Sequence, residues 1–459
     1  MDEQKSKLFY EQKNGYDLID TKERIACEEY SAKYMHFLNV SRTEREAVAE
    51  AIRQAEAAGF EPMPADMKGI RPGQKVYYSN RGKSLLLAVG GTEPVSAGCI
   101  IEAAHVDSPR LDLKQLPLFE DNELAYFRTH YYGGIKKYQW TAIPLELHGV
   151  VTLKDGTNVQ VVIGRDPEDP QFVITDLLPH LAKDQEAKRL GEAIQGEKLC
   201  LLIGSIPYAG DGNDRVKLAV MSLLNERYGI TETDFISAEL EVVPAFDVRE
   251  LGIDRSLIGG YGQDDRVCAY AELAAIYETE NPKHTAICIL ADKEEIGSCG
   301  VTGMTSQAFE RFMEHICGDT CSVQACLSQS FCVSADVTAA LDPLYAEVSE
   351  KQNAAKINYG VGFCKFTGSR GKSGSSDASA EVVARIRRIC DDAKVTWQMC
   401  ELGKVDQGGG GTVAMFMARR DIDTIDAGVP VLSMHAPFEV TAKFDCYMTY
   451  KCMKASFAD

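Results

Sequence analysis

Four short apolar runs in this chain each deliver the backbone to a histidine or an acid, and that recurrence limits what the chain can fold into. Val95 to Ala104 leads to His105. Ala286 to Leu290 leads through Ala291-Asp-Lys to Glu294-Glu295. Phe331 to Ser334 leads to Asp336, and Val429 to Met434 leads to His435. Runs this short and this apolar read as strands buried on both faces, which belong to mostly parallel sheets covered by helices. Open α/β sheets of that kind set their sites just beyond the carboxyl ends of the strands. A carboxylate pair is costly there unless a cation or a proton compensates it, so Glu294 and Glu295 point to a metal with a general base beside it. Taken alone, the pair reads equally well as a solvated loop.

The neighbouring residues favour the metal. In His105-Val-Asp107 the two polar side chains share one face of an extended chain, so the Asp107 carboxylate could accept the imidazole N–H and fix which ring nitrogen meets a metal. Gly259-Gly-Tyr-Gly-Gln-Asp264-Asp265 reads as a glycine-rich turn opening an amphipathic helix to Tyr277, with Asp264 or Asp265 at its cap. Two His, three acids and a spare Glu suit a centre of two ions roughly 3.5–4 Å apart that shares a bridging carboxylate.

The amino-terminal part is helical. Thr21 to Leu38 has apolar residues at helical spacing, and Ser41-x-x-Glu44 has the form of a capping box for a helix that Gly59 ends. Gln74 to Tyr78 and Ser84 to Val89 are strand-like, and Gly90-Gly91 is a turn. From 114 to 240 the texture becomes many short strands (Leu145 to Leu153, Val159 to Ile163, Leu199 to Ile203) around the polar stretch Ala182 to Glu197, with a short helix at Met221 to Tyr228. From Ala238 strands and helices alternate. His105 precedes this β-rich insert and every other candidate ligand follows it. Residues 1–113 and 241–459 are therefore expected to form one discontinuous catalytic domain around an insert at 114–240.

With 459 residues, two domains are the default expectation. The excess of 68 acidic over 49 basic residues gives a formal charge of −19 and argues against nucleic acid and anionic membranes as partners. The charged amino terminus has no apolar segment behind it, and no run reaches the length of a membrane span, so a soluble, cytoplasmic protein is expected. The 15 cysteines then suit reduced thiols, with Cys317, Cys321 and Cys326 as core or helix-face positions. Gly371-Lys-Ser373 is not a phosphate loop, since Phe366 stands where its first glycine belongs. H-E-x-x-H, G-x-S-x-G and dinucleotide fingerprints are absent from the sequence.

Taken together, the order and spacing of these residues resemble the M18 metalloaminopeptidases, a family that includes the aspartyl aminopeptidases and the vacuolar aminopeptidase I type. The resemblance is carried by His105-Val-Asp107-Ser-Pro109, Tyr132-Gly-Gly134, Pro179-His180-Leu-Ala182, Met221-Ser-Leu-Leu224, Asp264-Asp265, Asp292-Lys-Glu-Glu-Ile-Gly297, Ser334-Ala-Asp336 and Met434-His435. It implies a di-metal aminopeptidase fold that binds two divalent ions per subunit, zinc or else manganese or cobalt. It further implies His105 and Asp336 on one ion, Glu295 and His435 on the other, and Asp264 bridging. Asp107 would orient His105, and Glu294, which the residues alone cannot distinguish from Glu295 in this role, would be the general base toward the attacking water. The insert would make dimer contacts within a tetrahedral dodecamer, with His180 reaching a neighbouring subunit's site. Where many members continue Ser-Ile-Arg-Glu after the last His, this chain has Ala436-Pro-Phe438-Glu439, and Asp265-Arg266 replaces an Asn-Leu type. The basic segment Lys365 to Lys372 offers only a loose substitute, so short peptides with a neutral or hydrophobic amino-terminal residue are expected over Asp or Glu. The competing readings are a related di-metal amidohydrolase on N-acyl amino acids and a catalytically idle scaffold of the same fold.

Overall fold

The computed structural model describes residues 8–459. Three sheets organise them. The largest has nine strands in the spatial order Glu61–Pro62, Lys75–Asn80, Ser84–Val89, Thr285–Ala291, Cys99–His105, Phe331–Ala335, Asp423–Gly428, Val361–Cys364 and Trp397–Cys400. The four strands from Thr285–Ala291 to Asp423–Gly428 are mutually parallel, and an antiparallel neighbour closes each side of that group. This is the mixed, mostly parallel, helix-covered sheet expected from the apolar runs.

Strand alternation divides the core into two layers. Ile100, Ala104, Leu290 and Val333 pack toward the helices Thr21–Val40, Glu44–Ala57, Gln263–Tyr277, Ala380–Asp392 and Lys443–Phe457. Ile101, Ala103, Ile289 and Cys332 pack toward Phe309, Phe312 and Met313 of the helix Ala308–Cys317 and Met417 of Ala414–Ala418. Each Val, Leu, Ile, Phe or Met among them contributes about 1.5–3 kcal/mol by leaving water. All 15 cysteines are free.

Several local expectations shift. The second helix is capped by Thr43, not Ser41: the box is Thr43 with Glu46, and the helix starts at Glu44. Val95 to Ala97 form a 3-10 turn, because Pro94 and Gly98 (φ 92°) bend the chain, and the strand begins at Cys99. The helix expected at Met221 begins earlier, at Arg215. The run before His435, Val429 to Met434, lies outside the nine-stranded sheet. Asp423–Gly428 belongs to the nine-stranded sheet, whereas Pro430–Leu432 joins a small sheet with Glu439–Ala442, Leu257–Gly260, Arg249–Leu251 and Thr338–Ala339.

A six-stranded antiparallel sheet is built wholly from Arg110 to Pro244, in the order Asn158–Ile163, Leu145–Thr152, Ala238–Pro244, Arg110–Asp121, Leu124–Tyr132 and Cys200–Gly204. It has its own core around Trp140, Leu147, Leu201 and Val242. Buried charges fasten it to the start of the second helix: Arg42 Nε lies 3.0 Å from Glu146 Oε1, and His148 Nδ1 lies 2.7 Å from Glu46 Oε1. Burial alone would lower the His148 pKa, but Glu146 and Glu46 override it and push the ring up to about 9.

Candidate metal centre

Three parallel neighbours of the nine-stranded sheet, Thr285–Ala291, Cys99–His105 and Phe331–Ala335, supply the centre from their carboxyl ends. His105 is the last residue of its strand and pairs in register with Ala291, so the Glu294-Glu295 turn emerges directly beside it. Lys293 takes a left-handed conformation (φ 67°) and Gly297 another (φ 93°), and between them Glu294–Ile296 form a tight 3-10 turn. Asp336 follows the strand Phe331–Ala335 on the other side of His105. Asp264 lies at the start of the helix Gln263–Tyr277, but neither it nor Asp265 is the cap. Gly262 (φ 77°) holds that position, the Asp264–Asp265 peptide is cis, and both aspartates have non-helical backbone angles. His435 (φ 64°) occupies the turn after Pro430–Leu432, in the small sheet.

These residues form two constellations that share Asp264: His105, Asp264 and Asp336, and Asp264, Glu295 and His435. One Asp264 oxygen, Oδ1, lies 3.2 Å from His105 Nε2, and the other, Oδ2, lies 3.1 Å from His435 Nε2. His105 Nε2 is 3.9 Å from both Asp336 Oδ1 and Glu294 Oε2, and His435 Nε2 is 3.5 Å from Glu295 Oε1. The two imidazoles thus aim Nε2 at opposite oxygens of one carboxylate. Glu294 stands beside both groups and belongs to neither. His180 lies in the exposed turn Pro179–Leu181, outside both constellations of its own chain.

Outer contacts fix the ring orientations. His105 Nδ1 meets the Asp107 carbonyl at 2.9 Å and its carboxylate only at 3.5 Å, so the backbone, rather than the expected side chain, is the nearer acceptor. The Asp107 carboxylate is engaged elsewhere, accepting the backbone N–H groups of Glu294 and Glu295 and the Tyr132 hydroxyl. Glu439 joins the two halves, accepting the His435 N–H at 2.7 Å through one oxygen and the Asp264 N–H at 3.1 Å through the other. Sequence reasoning missed Glu439, an acid that opens the short strand Glu439–Ala442. It also overlooked Ser108, which donates to the Asp264 carbonyl at 2.7 Å, and the Gly134 carbonyl, which accepts from His435 Nδ1 at 2.8 Å.

The donor set fits divalent cations. Burial raises the Glu295 carboxyl well above its usual range, with Asp264 adding to the effect, and it raises Asp336 likewise, with Asp265 contributing. Burial pushes Asp264 in the same direction, but the two imidazoles reverse that and hold it low. Glu295 Oε1 is buried without a hydrogen-bond partner. Carboxylates gathered in this way are compensated by cations, and mixed imidazole and carboxylate donors suit zinc.

The family model described as "Aminopeptidase I zinc metalloprotease (M18)" matches residues 37–457. A probable M18 family aminopeptidase 1 from Clostridium acetobutylicum is 49% identical over 451 residues, covering 96% of this chain and 97% of the relative. The crystal structure of an M18 family aminopeptidase from Thermotoga maritima superposes with a TM-score of 0.94 at 45% identity, covering 98% and 99% of the two chains. A dodecamer solved from S. cerevisiae shares the fold, with a TM-score of 0.76 at 17% identity over 93% and 96% of the chains.

Proposed function

This chain belongs to the M18 family of zinc metalloproteases and is a metal-dependent aminopeptidase, and from that premise we propose that it releases single amino-terminal residues from short peptides at a centre of two divalent ions. The observation that carries the proposal is Asp264, whose two oxygens face His105 and His435 separately. In this reading His105 and Asp336 would hold one ion, Glu295 and His435 would hold the other, and Asp264 would be shared between them. Two ions so held supply Lewis acidity toward the scissile carbonyl and toward an attacking water. Glu294 takes the proton from that water and hands it to the departing amine, a role consistent with its position beside, but outside, both constellations. Asp107 keeps Glu294 at that position through the backbone. Zinc is the expected ion, and manganese and cobalt suit the same donors.

A neutral or hydrophobic amino-terminal residue is the proposed preference. Lys365 and Lys372 both pair with Asp377, which offsets part of their charge and leaves less of it for an acidic substrate. The insert at 114–240 is proposed to make dimer contacts and, through them, a tetrahedral dodecamer, with His180 entering a neighbouring site. Support comes from the exposed Leu177, Leu178 and Leu181 around His180 and from the fold shared with the yeast dodecamer. Action in the cytoplasm is proposed on the free cysteines; among the described residues no helix is long and apolar enough to cross a membrane.

The test is release of amino-terminal residues from a mixed short-peptide library by metal-loaded wild type, with Glu294→Gln as the control. Trimming one residue at a time by wild type alone supports the reading. Cleavage of N-acetyl amino acids instead, or equal activity of the variant, sinks it.

A further inference from the structure

The six-stranded sheet reaches the metal centre through one segment, Tyr132-Gly133-Gly134, at the end of the strand Leu124–Tyr132. The Tyr132 hydroxyl donates to Asp107 Oδ2 at 2.8 Å. Two residues later the Gly134 carbonyl accepts from His435 Nδ1 at 2.8 Å. Between them Gly133, at φ +73°, packs so closely on Glu295 that an added Cβ would lie 3.3 Å from its side chain. Three consecutive residues therefore touch groups serving both halves of the centre.

The segment is itself held. The Arg110 guanidinium stacks 3.9 Å above the Tyr132 ring, a cation–π contact that fixes the plane of the ring. Arg110 is tied in turn to Asp112 at 2.8 Å, Glu241 at 3.1 Å and Glu44 at 3.5 Å. Tyr132 cannot swing away from Asp107 without disturbing the buried pairs of Arg110 with Glu241 and Glu44.

The geometry points to Tyr132 and the Gly134 carbonyl as positioning groups for the metal centre, supplied by the sheet that contributes none of its candidate ligands. The inference rests on the two-ion reading above. Tyr132 acts through Asp107, the carboxylate that anchors the Glu294-Glu295 turn. The Gly134 carbonyl acts on His435 directly: by accepting the Nδ1 proton it selects the tautomer that leaves Nε2 free to face Asp264 and Glu295. Partners of this kind are worth about 10- to 100-fold in metal affinity or activity.

The test loads the full chain with Zn2+, competes the metal away with a graded chelator, and measures zinc per chain alongside kcat and KM. Tyr132→Phe removes one hydroxyl and keeps the ring under Arg110. It is expected to release zinc at a chelator concentration about 10-fold lower or more, with a reduced kcat and a nearly unchanged KM. Gly134→Ala places a Cβ 3.3 Å from His435 Nδ1 and is expected to loosen zinc as well; it carries the test alone if Tyr132→Phe does not fold. Tyr131→Phe, at an exposed position on the other face of the strand, is the control. Zinc retention equal to wild type in both variants overturns the inference while leaving the two-ion reading intact. A wild type that holds no zinc overturns both.

Discussion

Asp107 holds Glu294 by its backbone: Oδ1 accepts the Glu294 N–H at 3.1 Å while Oδ2 accepts that of Glu295 at 3.2 Å. One fully buried carboxylate therefore sets the position of the proposed base and of a proposed ligand together.

Replacing Asp107 by Asn leaves one acceptor oxygen and turns an amino group toward the other donors. We expect a loss of about 1–3 kcal/mol in stability from the unpaired buried groups. Turnover and zinc retention should each drop by about 10- to 100-fold. Denaturant titration and metal content after gel filtration measure the two effects; a variant with full zinc and full turnover would refute the anchoring role.

Glu294→Gln preserves size and removes the basic oxygen. Loss of a general base costs about 10²- to 10⁴-fold in rate. Zinc content should match wild type, because Glu294 lies outside both constellations. A variant that loses its zinc would instead assign Glu294 to the ligands.

Activity should fall on the acid side, below about pH 6.5, as protons compete with metal for the two imidazoles. The measurement is a kcat/KM profile at fixed free zinc. A profile flat down to pH 5 would contradict the use of His105 and His435.

Stability should carry a second, alkaline signature from His148. Its folded-state pKa of about 9 lies above the ordinary value of 6.5, so its contribution is complete below about pH 6.5 and is lost as pH rises through about 9. The difference corresponds to about 3 kcal/mol at 1.36 kcal/mol per pH unit. Urea midpoints taken between pH 6 and 10 should decline in wild type and flatten in His148→Gln. Parallel slopes would assign the decline to other groups.

The nine-stranded sheet and most of the centre were legible because burial on both faces leaves an unambiguous apolar run, and an acid or histidine at its end has no apolar excuse. The same criterion misplaced the end of the chain's last run. Val429 to Met434 is as apolar as the others, yet its strand Pro430–Leu432 joins the small sheet and not the nine-stranded one, and apolarity does not record which partner a strand finds. The helix caps failed for a related reason. Ser41 and Glu44 have the spacing of a capping box, but Thr43 and Glu46 have it as well, and the backbone selected the second pair. Glu439 was invisible because its partner Asp264 is 175 residues away and the contact exists only once the small sheet has formed. Asp107 was read as a partner of His105, and its carboxylate, 3.5 Å from His105 Nδ1, also accepts the backbone N–H of a turn 187 residues later, which sequence spacing does not record.

His105 and His435 stand on supports of unequal persistence. His105 ends a strand paired on both sides within the parallel group, whereas His435 is 34% exposed in a turn of the small sheet. Segments of these two kinds open at different rates, the first only with the domain and the second through local fluctuation. Amide exchange should therefore be slow through Cys99–His105 and faster through 433–438. The centre would then load and unload by stages, with the His435 half acting as a door and the His105 half as a fixed wall.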